Sequence, residues 1–228
     1  MSDDELIPGL PEEVARECLL RVGFDQLPAA RSTSRRWKAE VESPFYHRLR
    51  RARGMARPLL ALAQAEPPLA AAGPANKYAG LSTSYRLVLH DPVGGGGGWT
   101  ALPPLPGGGG GLPLFCQLAA VAACGGERRR LVVVGGWDPE TWAPMDAVHV
   151  YDFLSGSWRR GAAMPGPRRS FFACAAVGSH GGEQAVYLLT TEGGANKNGV
   201  AAAAQSWARA PAPPEFAGYV QAACCVEV

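Results

Sequence analysis

Residues 131–158, LVVVGGWDPETWAPMDAVHVYDFLSGSW, decide how this chain is organised. The stretch begins with Leu131 to Val134, a short run of apolar and β-branched residues. Such a run is typical of a buried strand. It stops at Gly135 and Gly136, and a glycine pair at this place predicts a turn whose backbone needs positive φ.

The second half of the stretch predicts two more strands. Apolar and polar residues alternate in Ala147 to Asp152, and Ser155-Gly156 predicts a tight turn that leads into Trp158. A glycine pair after an apolar strand, with Tyr151 seven positions before Trp158, resembles the kelch repeat. Each kelch repeat forms one four-stranded blade of a β-propeller. The resemblance implies that Gly135 and Gly136 turn the backbone and that Tyr151 and Trp158 fill the wedge between blades; alone, these residues would also suit an ordinary β-hairpin.

A divergent first blade precedes this stretch. The pair at 90–91 (His-Asp) with Trp99 repeats the pair at 151–152 (Tyr-Asp) with Trp158. The intervening glycine runs at 94–98 and 107–111 lack a following Gly-Lys-Ser/Thr and join no strand to a helix, so we interpret them as expanded surface turns rather than phosphate-binding loops.

The third blade departs from the family pattern. A strand at 185–189 leads to a second glycine pair, but the next tryptophan follows that pair by 13 residues, whereas Trp158 follows Gly136 by 22. The corresponding structural residues are Gly193, Gly194 and Trp207. We therefore expect an incomplete propeller of about three blades, although a closed propeller needs at least four. Three arrangements remain open: a truncated copy, pairing with a second copy, or folding of the strand at 218–228 back onto the first blade.

The composition agrees with a turn-rich β protein. Among 228 residues, 29 are Gly and 20 are Pro, and only 18% are charged. The net charge of +2 does not suggest a nucleic-acid partner, and no apolar run has membrane-spanning length. The six cysteines include no Cys-x-x-Cys pair, so we expect reduced thiols and a location in the cytoplasm or nucleus.

The N-terminal part predicts three short helices. Pro11 and two following glutamates suit a first helical turn. Leu10, Val14, Cys18 and Val22 lie four residues apart, and together with Leu19 they predict the packed face of that first helix. A second helix is predicted from Asp25 through Val41, and a third begins at Ser43-Pro44 with the serine as N-cap. We expect a helical module over residues 1–57 and the blades over residues 58–228.

Particular residues of this module resemble the F-box, a helical motif that docks onto the Skp-type adaptor of cullin-based (SCF) ubiquitin ligases. The match covers roughly residues 6 to 50, and it rests chiefly on Leu10 to Val14 (LPEEV) and Ser34 to Trp37 (SRRW). The adaptor-binding residues implied by the resemblance are Leu6, Pro8, Leu10, Pro11, Val14, Leu19, Leu20, Leu27 and Trp37. The alternatives are a helical cap on the blades or a DNA-binding helix-turn-helix. The DNA reading is disfavoured because residues 1–57 carry 11 Lys and Arg against 9 Asp and Glu.

Helices and blades together resemble plant F-box/kelch proteins, so the expected function is substrate recognition within a ubiquitin ligase. Clients of similar plant proteins include phenylalanine ammonia-lyase and response regulators. We expect client contacts at Arg168, Arg169 and Trp137, although the two arginines would equally suit a salt-bridged surface turn. The alternatives are a kelch interaction module outside any ligase, or a remnant that binds the adaptor but no client.

No catalytic or metal-binding pattern accompanies these motifs. The four histidines are scattered, with no His or Cys spacing typical of metal ligands, and no Gly-x-Ser-x-Gly motif occurs. We therefore expect neither a cofactor nor enzymatic activity, and no partner among membranes or nucleic acids.

Overall fold

The computed structural model describes residues 5–66, 84–93, 98–107, 111–122, 129–178, 184–189, 213–216 and 219–228. The N-terminal part forms a helical module of four helices: α1 (Glu12–Leu20), α2 (Leu27–Thr33), α3 (Arg35–Glu42) and α4 (Pro44–Ala52). Strands follow from Pro58 onward.

The prediction of one helix from Asp25 through Val41 is wrong, because the chain breaks at Ser34. This residue is extended, with φ −153° and ψ 164°, and its side chain accepts a hydrogen bond from the backbone N–H of Trp37. A serine that caps the following helix satisfies an orphan N–H there and so ends the preceding helix. Ser43 caps α4 in the same way through the N–H of Tyr46, as predicted.

The predicted packed face of α1 is confirmed only at its C-terminal end, where Leu19 is buried and Val22 packs against the module core. It is wrong for Leu10 and Val14, which are 40% and 47% exposed, and for Cys18, which is exposed as well. Besides Leu19, the buried residues of α1 are Ala15 and Leu20. Both faces of this helix are apolar, and the module buries the one that carries the adjacent leucine pair.

The rest of the described chain forms three antiparallel sheets. The strands are β1 (Pro58–Ala65), β2 (Tyr85–His90), β3 (Trp99–Ala101), β4 (Gln117–Ala122), β5 (Arg129–Val134), β6 (Val148–Asp152), β7 (Ser157–Arg160), β8 (Ala173–Gly178), β9 (Gln184–Leu189) and β10 (Val220–Glu227). Blade A has the order β10-β1-β2-β3, blade B the order β4-β5-β6-β7, and blade C contains β8 and β9. The predicted incomplete kelch propeller is confirmed, and across the described ranges the sheets do not close into a ring.

The last strand completes the first blade. β10 pairs antiparallel with β1, from Pro58 opposite Glu227 to Ala63 opposite Ala222. Beyond it, the backbones of Arg57 and Val228 exchange two hydrogen bonds of 2.7 and 3.0 Å. Of the three arrangements that the sequence leaves open, the structure adopts the return of the C-terminal strand to the first blade.

Two apolar layers hold the blades together. One lies between blades A and B and contains Leu59, Leu89, Leu131, Tyr151 and Val226. The other lies on the opposite face of blade B and joins Val132, Val150 and Met164 to Phe172, which immediately precedes β8. Alternate residues of β5 therefore face opposite blades, as the pleat of a strand requires.

The repeat predicted from the aromatic residues is present in the geometry. His90 pairs with Trp99 across blade A, and Tyr151 pairs with Trp158 across blade B. The ring centroids are 4.4 and 5.0 Å apart, respectively. The neighbouring aspartates are equivalent too. In each blade, the carboxylate accepts the backbone N–H two residues on at 2.9 Å and an arginine N–H at 3.0 Å.

The glycine pair after β5 has the expected conformation. Gly135 and Gly136 have φ of +56° and +101°, and a Cβ on Gly136 would lie 2.7 Å from the carbonyl oxygen of Leu114. Only glycine fits this turn without strain. The glycine pair at 193–194 and Trp207, to which the sequence assigns the same roles in the third blade, lie outside the described residues.

Candidate functional site

The helical module exposes an apolar stripe on the outer face of α1. Leu10 and Val14 form it together with the exposed Cys18, and Phe45 at the start of α4 is 50% exposed. The guanidinium of Arg16 lies 5.7 Å from the centroid of the Phe45 ring. Leu10 lies two residues before α1, and Val14 and Cys18 lie on that helix. Exposed apolar side chains grouped in this way are typical of a protein-binding surface.

Ion pairs fix the charged residues beside this stripe. Arg16 contacts Glu40 at 2.6 Å and Glu12 at 3.4 Å, and Arg36 contacts Glu12 at 2.7 Å. The pKa of Arg16 is raised, chiefly by its hydrogen bond to Glu40. These contacts link α1 to α3.

The structure divides the predicted adaptor-binding residues into two groups. Four are buried inside the module: Leu6, Leu19, Leu20 and Leu27. Four are exposed: Pro8, Leu10, Pro11 and Val14. Trp37 is half-buried, and its indole N–H donates to the carbonyl oxygen of Leu6 at 2.6 Å. The buried group builds the module, whereas the exposed group can contact another protein directly.

A buried arginine organises the module where it meets the first strand. Arg50 is 5% exposed, and its guanidinium donates to the carbonyl oxygens of Leu20, Val22 and Met55 at 3.0, 2.7 and 3.3 Å. A cation is stabilising at the carbonyl end of a helix, which here is α1. Arg50 thus connects α1, α4 and the segment that leads into β1.

The hairpin between β6 and β7 inserts into the helical module. Leu154 is 4% exposed and belongs to the same apolar core as Leu19 and Tyr46. Two residues on, Gly156 has φ +64°, and a Cβ there would lie 3.0 Å from Cγ of Pro28 at the start of α2. Close packing on both residues holds blade B against the helices.

The opposite end of blade B carries exposed aromatic residues. In this antiparallel sheet Gln117, Val134 and Val148 lie at the end remote from the β6–β7 hairpin. Loops at that end carry Phe115, Trp137, Trp142 and Phe171, which we call the aromatic cluster. Their rings form a continuous chain with centroid separations of 4.6 Å (Phe115 to Phe171), 6.4 Å (Phe171 to Trp137) and 6.4 Å (Trp137 to Trp142).

The backbone of this cluster is strained. Among the described residues, the non-glycine residues with positive φ are Phe115, Trp142 and Phe171, with values of 56°, 53° and 57°. Their exposed fractions are 41%, 56% and 68%. A bulky residue in the left-handed region costs energy, and strain of this kind concentrates at functional sites.

The predicted client-binding residues lie beside or within this cluster. The indole N–H of Trp137 donates to the hydroxyl of Ser170. Arg168 contacts Asp146 at 3.7 Å, and its side chain is 67% exposed. The guanidinium of Arg169 donates to the carbonyl oxygens of Pro165 and Pro167. Both arginines thus contact residues of the described loops, and their role in client binding stays a prediction.

The three strained aromatics were not predicted from the sequence. Aromatic residues next to strand starts are normally assigned to the core, and no sequence signal marks an aromatic residue for a left-handed backbone conformation. Their proximity to one another depends on the packing of β4, β5 and β8.

Acidic side chains border the cluster. Asp138 accepts backbone N–H groups of Glu140 and Thr141 at 2.8 and 3.1 Å, and these bonds lower its pKa. Glu140 is exposed, and its carboxylate forms no ion pair with the described residues. Both line a cleft of about 300 Å³, whose lining also includes His149 and Arg160.

The described parts of the chain contain no helix long and apolar enough to cross a membrane. Within the same parts, no group of three His, Cys, Asp or Glu side chains is placed to hold a metal ion.

Comparison with known proteins assigns the two regions to families. The F-box domain family matches residues 7–49, and the kelch motif family matches residues 118–165. F-box/kelch-repeat protein At1g80440 of Arabidopsis thaliana is 46% identical over 172 residues, which cover 75% of this chain and 45% of that protein. F-box/kelch-repeat protein At1g15670 of the same plant is 42% identical over the same shares of the two chains. A third Arabidopsis relative, F-box/kelch-repeat protein SKIP20, is 34% identical over 77% of this chain and 46% of its own length.

The chain spans about half the length of these curated relatives. The matched F-box region covers α1, α2, α3, most of α4 and the exposed stripe, and the kelch match covers nearly all of blade B with its glycine pair and paired aromatics. Helices, blades and sequence similarity agree: the chain combines an F-box region with kelch strands, and over about three quarters of its length it is similar to plant F-box/kelch-repeat proteins.

Proposed function

We propose that this chain is a substrate receptor of a cullin-based (SCF) ubiquitin ligase. In this role the helical module binds a Skp-type adaptor, and the blades bind a protein client that is ubiquitinated and degraded. The chain itself catalyses no bond change. It raises the local concentration of the client near the ubiquitin-conjugating enzyme, which is a proximity effect.

One observation carries the proposal: two exposed apolar surfaces lie at opposite ends of one packed unit. The stripe of Leu10 and Val14 is on the helical module, and the aromatic cluster is at the end of blade B remote from that module. Leu154 fixes the two parts against each other. A receptor needs this arrangement, because the client must be held clear of the adaptor and at a defined distance from it.

The stripe has the properties required for adaptor binding. Its side chains are exposed, so their contacts are available to a partner, while the buried leucines keep α1 in place. Exposed apolar side chains that become buried at an interface contribute most of the binding free energy. We therefore place the direct adaptor contacts at Leu10, Pro11 and Val14.

Co-purification of the chain with a Skp-type adaptor tests the proposal. The informative variant is Leu10→Glu with Val14→Glu, because both side chains are exposed and the change should leave the fold intact. Val93→Glu is the matched control, since Val93 is 66% exposed on blade A. We expect the adaptor to be retained by the unaltered chain and by the control but lost from the double variant.

Each outcome has a defined meaning. Adaptor retention by the double variant would remove the stripe from the interface. If the unaltered chain fails to retain the adaptor, the ligase role is wrong and the chain is better described as a kelch interaction module. Adaptor binding without binding of any client would instead support the interpretation as a receptor remnant.

A further inference from the structure

The aromatic cluster has features that packing alone does not explain. Three of its four members adopt positive φ, and all three of these large apolar side chains are exposed. Residues that serve only to pack the core are normally buried and have unstrained φ and ψ angles. The strain and the exposure together indicate a surface held ready for a ligand.

Ring orientation suggests what kind of ligand fits. Trp142 stands at 84° to Trp137, and Phe171 stands at 66° to Trp137. In such edge-to-face pairs a neighbour covers only part of a ring, and Trp142, which is 56% exposed, presents the rest of its ring surface to solvent. The faces of aromatic rings are electron-rich, and tryptophan is the strongest of them in attracting a cation.

The charges beside the rings favour the same ligand. The loop from Trp137 to Asp146 contains Asp138, Glu140 and Asp146 and no Lys or Arg. Glu140 is free of ion pairs with the described residues, whereas the neighbouring arginines are engaged: Arg168 contacts Asp146, and Arg169 is bonded to backbone carbonyls. Arg160 also lines the adjoining cleft, and Arg169 keeps its positive charge. Within the loop that carries both tryptophans, however, Asp138 and Glu140 form no ion pair with the described residues, so this loop offers two carboxylates to a cation.

We propose that the aromatic cluster binds a basic segment of the client, with a lysine or arginine side chain held against the faces of Trp137 and Trp142 beside Asp138 and Glu140. As a statement about the client, this rests on the proposed ligase function. As a statement about binding chemistry, it can be tested without the adaptor.

The test is a fluorescence anisotropy titration of the full chain with a labelled peptide of alternating lysine and serine. A glutamate–serine peptide of the same length is the opposite-charge probe. We expect the lysine peptide to bind and the glutamate peptide to bind more weakly or not at all. No binding of the lysine peptide, or tighter binding of the glutamate peptide, would overturn the proposal.

Variants identify the residues responsible. Trp142→Gly removes a ring and relieves the positive φ, so the fold should be retained, and we expect about fivefold weaker binding of the lysine peptide. Glu140→Gln should weaken it by about threefold. Arg48→Gln, on α4 in the helical module, is the charge control and should leave binding unchanged. Equal affinity of Trp142→Gly and the unaltered chain would overturn the role of the rings.

Two further measurements separate the remaining explanations. If Trp142→Gly changes the oligomeric state in sedimentation velocity but not peptide binding, a second copy of the chain covers the cluster and the proposal is wrong. The same variants are tested for adaptor co-purification. Adaptor binding without peptide binding contradicts only this inference, whereas peptide binding without adaptor binding contradicts only the ligase function.

Discussion

The two ends of blade B use their loops in opposite ways. At the end that faces the helices, Leu154 is buried and Gly156 occupies a position where a side chain would collide with Pro28. At the other end, Trp142 and Phe171 are exposed on a strained backbone. Blade B therefore carries a closely packed hairpin at one end. At the other end it carries loops whose side chains are exposed and can contact a partner. The difference shows that stability and binding are assigned to separate ends of the same strands.

The largest expected loss of stability comes from creating a cavity at the end of blade B that packs against the helices. Leu154→Ala removes a buried side chain from the module core and should lower the free energy of unfolding by about 2 to 5 kcal/mol. Phe171→Ala removes a larger side chain from the exposed end and should cost less than about 1 kcal/mol. Urea denaturation followed by circular dichroism measures both. Equal losses would mean that the two ends do not differ in packing.

A smaller effect is expected at the glycine of the hairpin. Gly156→Ala places a Cβ against the ring of Pro28 at positive φ and should cost about 2 kcal/mol. Gly54→Ala is the matched control, because Gly54 has φ +66° and no heavy atom within 4 Å of its added Cβ. The control should cost only about 1 kcal/mol, so the difference measures the contact with Pro28. A difference near zero in thermal unfolding would indicate that α2 moves aside.

At the strained end of blade B, a glycine variant should be more stable than an alanine variant, which is the reverse of the usual order. At most exposed positions alanine is as good as glycine or better, but Trp142 has φ +53°. Trp142→Gly should therefore be about 1 kcal/mol more stable than Trp142→Ala. Chemical denaturation of the two variants gives the sign directly. Greater stability of the alanine variant would mean that the backbone relaxes out of the left-handed region.

The smallest effect concerns pH. Burial, and secondarily the charge of Arg160, lower the pKa of His149 in β6 below its ordinary value of 6.5. Below that pH the unfolded chain takes up a proton more readily than the folded chain, so stability falls as the pH drops and is unaffected by this group above it. Unfolding free energies measured between pH 7 and pH 5 should decline less steeply for His149→Gln than for the unaltered chain. Parallel declines would place the pH dependence on other groups.

The sequence predicts what local chemistry determines. Proline at the start of α1, Ser43 as the cap of α4 and the glycine pair after β5 all act through neighbouring backbone atoms, and all are found where expected. The pairing of Tyr151 with Trp158 follows from repeat spacing in the same way. These features require no knowledge of distant contacts.

What the sequence leaves unpredicted depends on contacts between distant segments. The burial of Leu154 follows from the docking of a blade onto helices more than a hundred residues earlier in the chain. The outward face of α1 could not be chosen from periodicity, since Leu10, Val14 and Cys18 form as regular a stripe as a buried face would. The positive φ of Phe115 and Phe171 opposes local preference, so only the surrounding fold can impose it.

The return of β10 to β1 also sets an order of events during synthesis. β1 emerges from the ribosome more than 150 residues before its partner, because Pro58 pairs with Glu227. The edge of β1 that will pair with β10 therefore remains unpaired while blades B and C are being synthesised. Closing a loop of this length is slow. An unpaired strand edge can form hydrogen bonds with a strand of another nascent chain, which leads to misfolding or aggregation. We expect the yield of folded protein to depend on chaperones that bind such edges, and to fall sharply when residues 220–228 are removed.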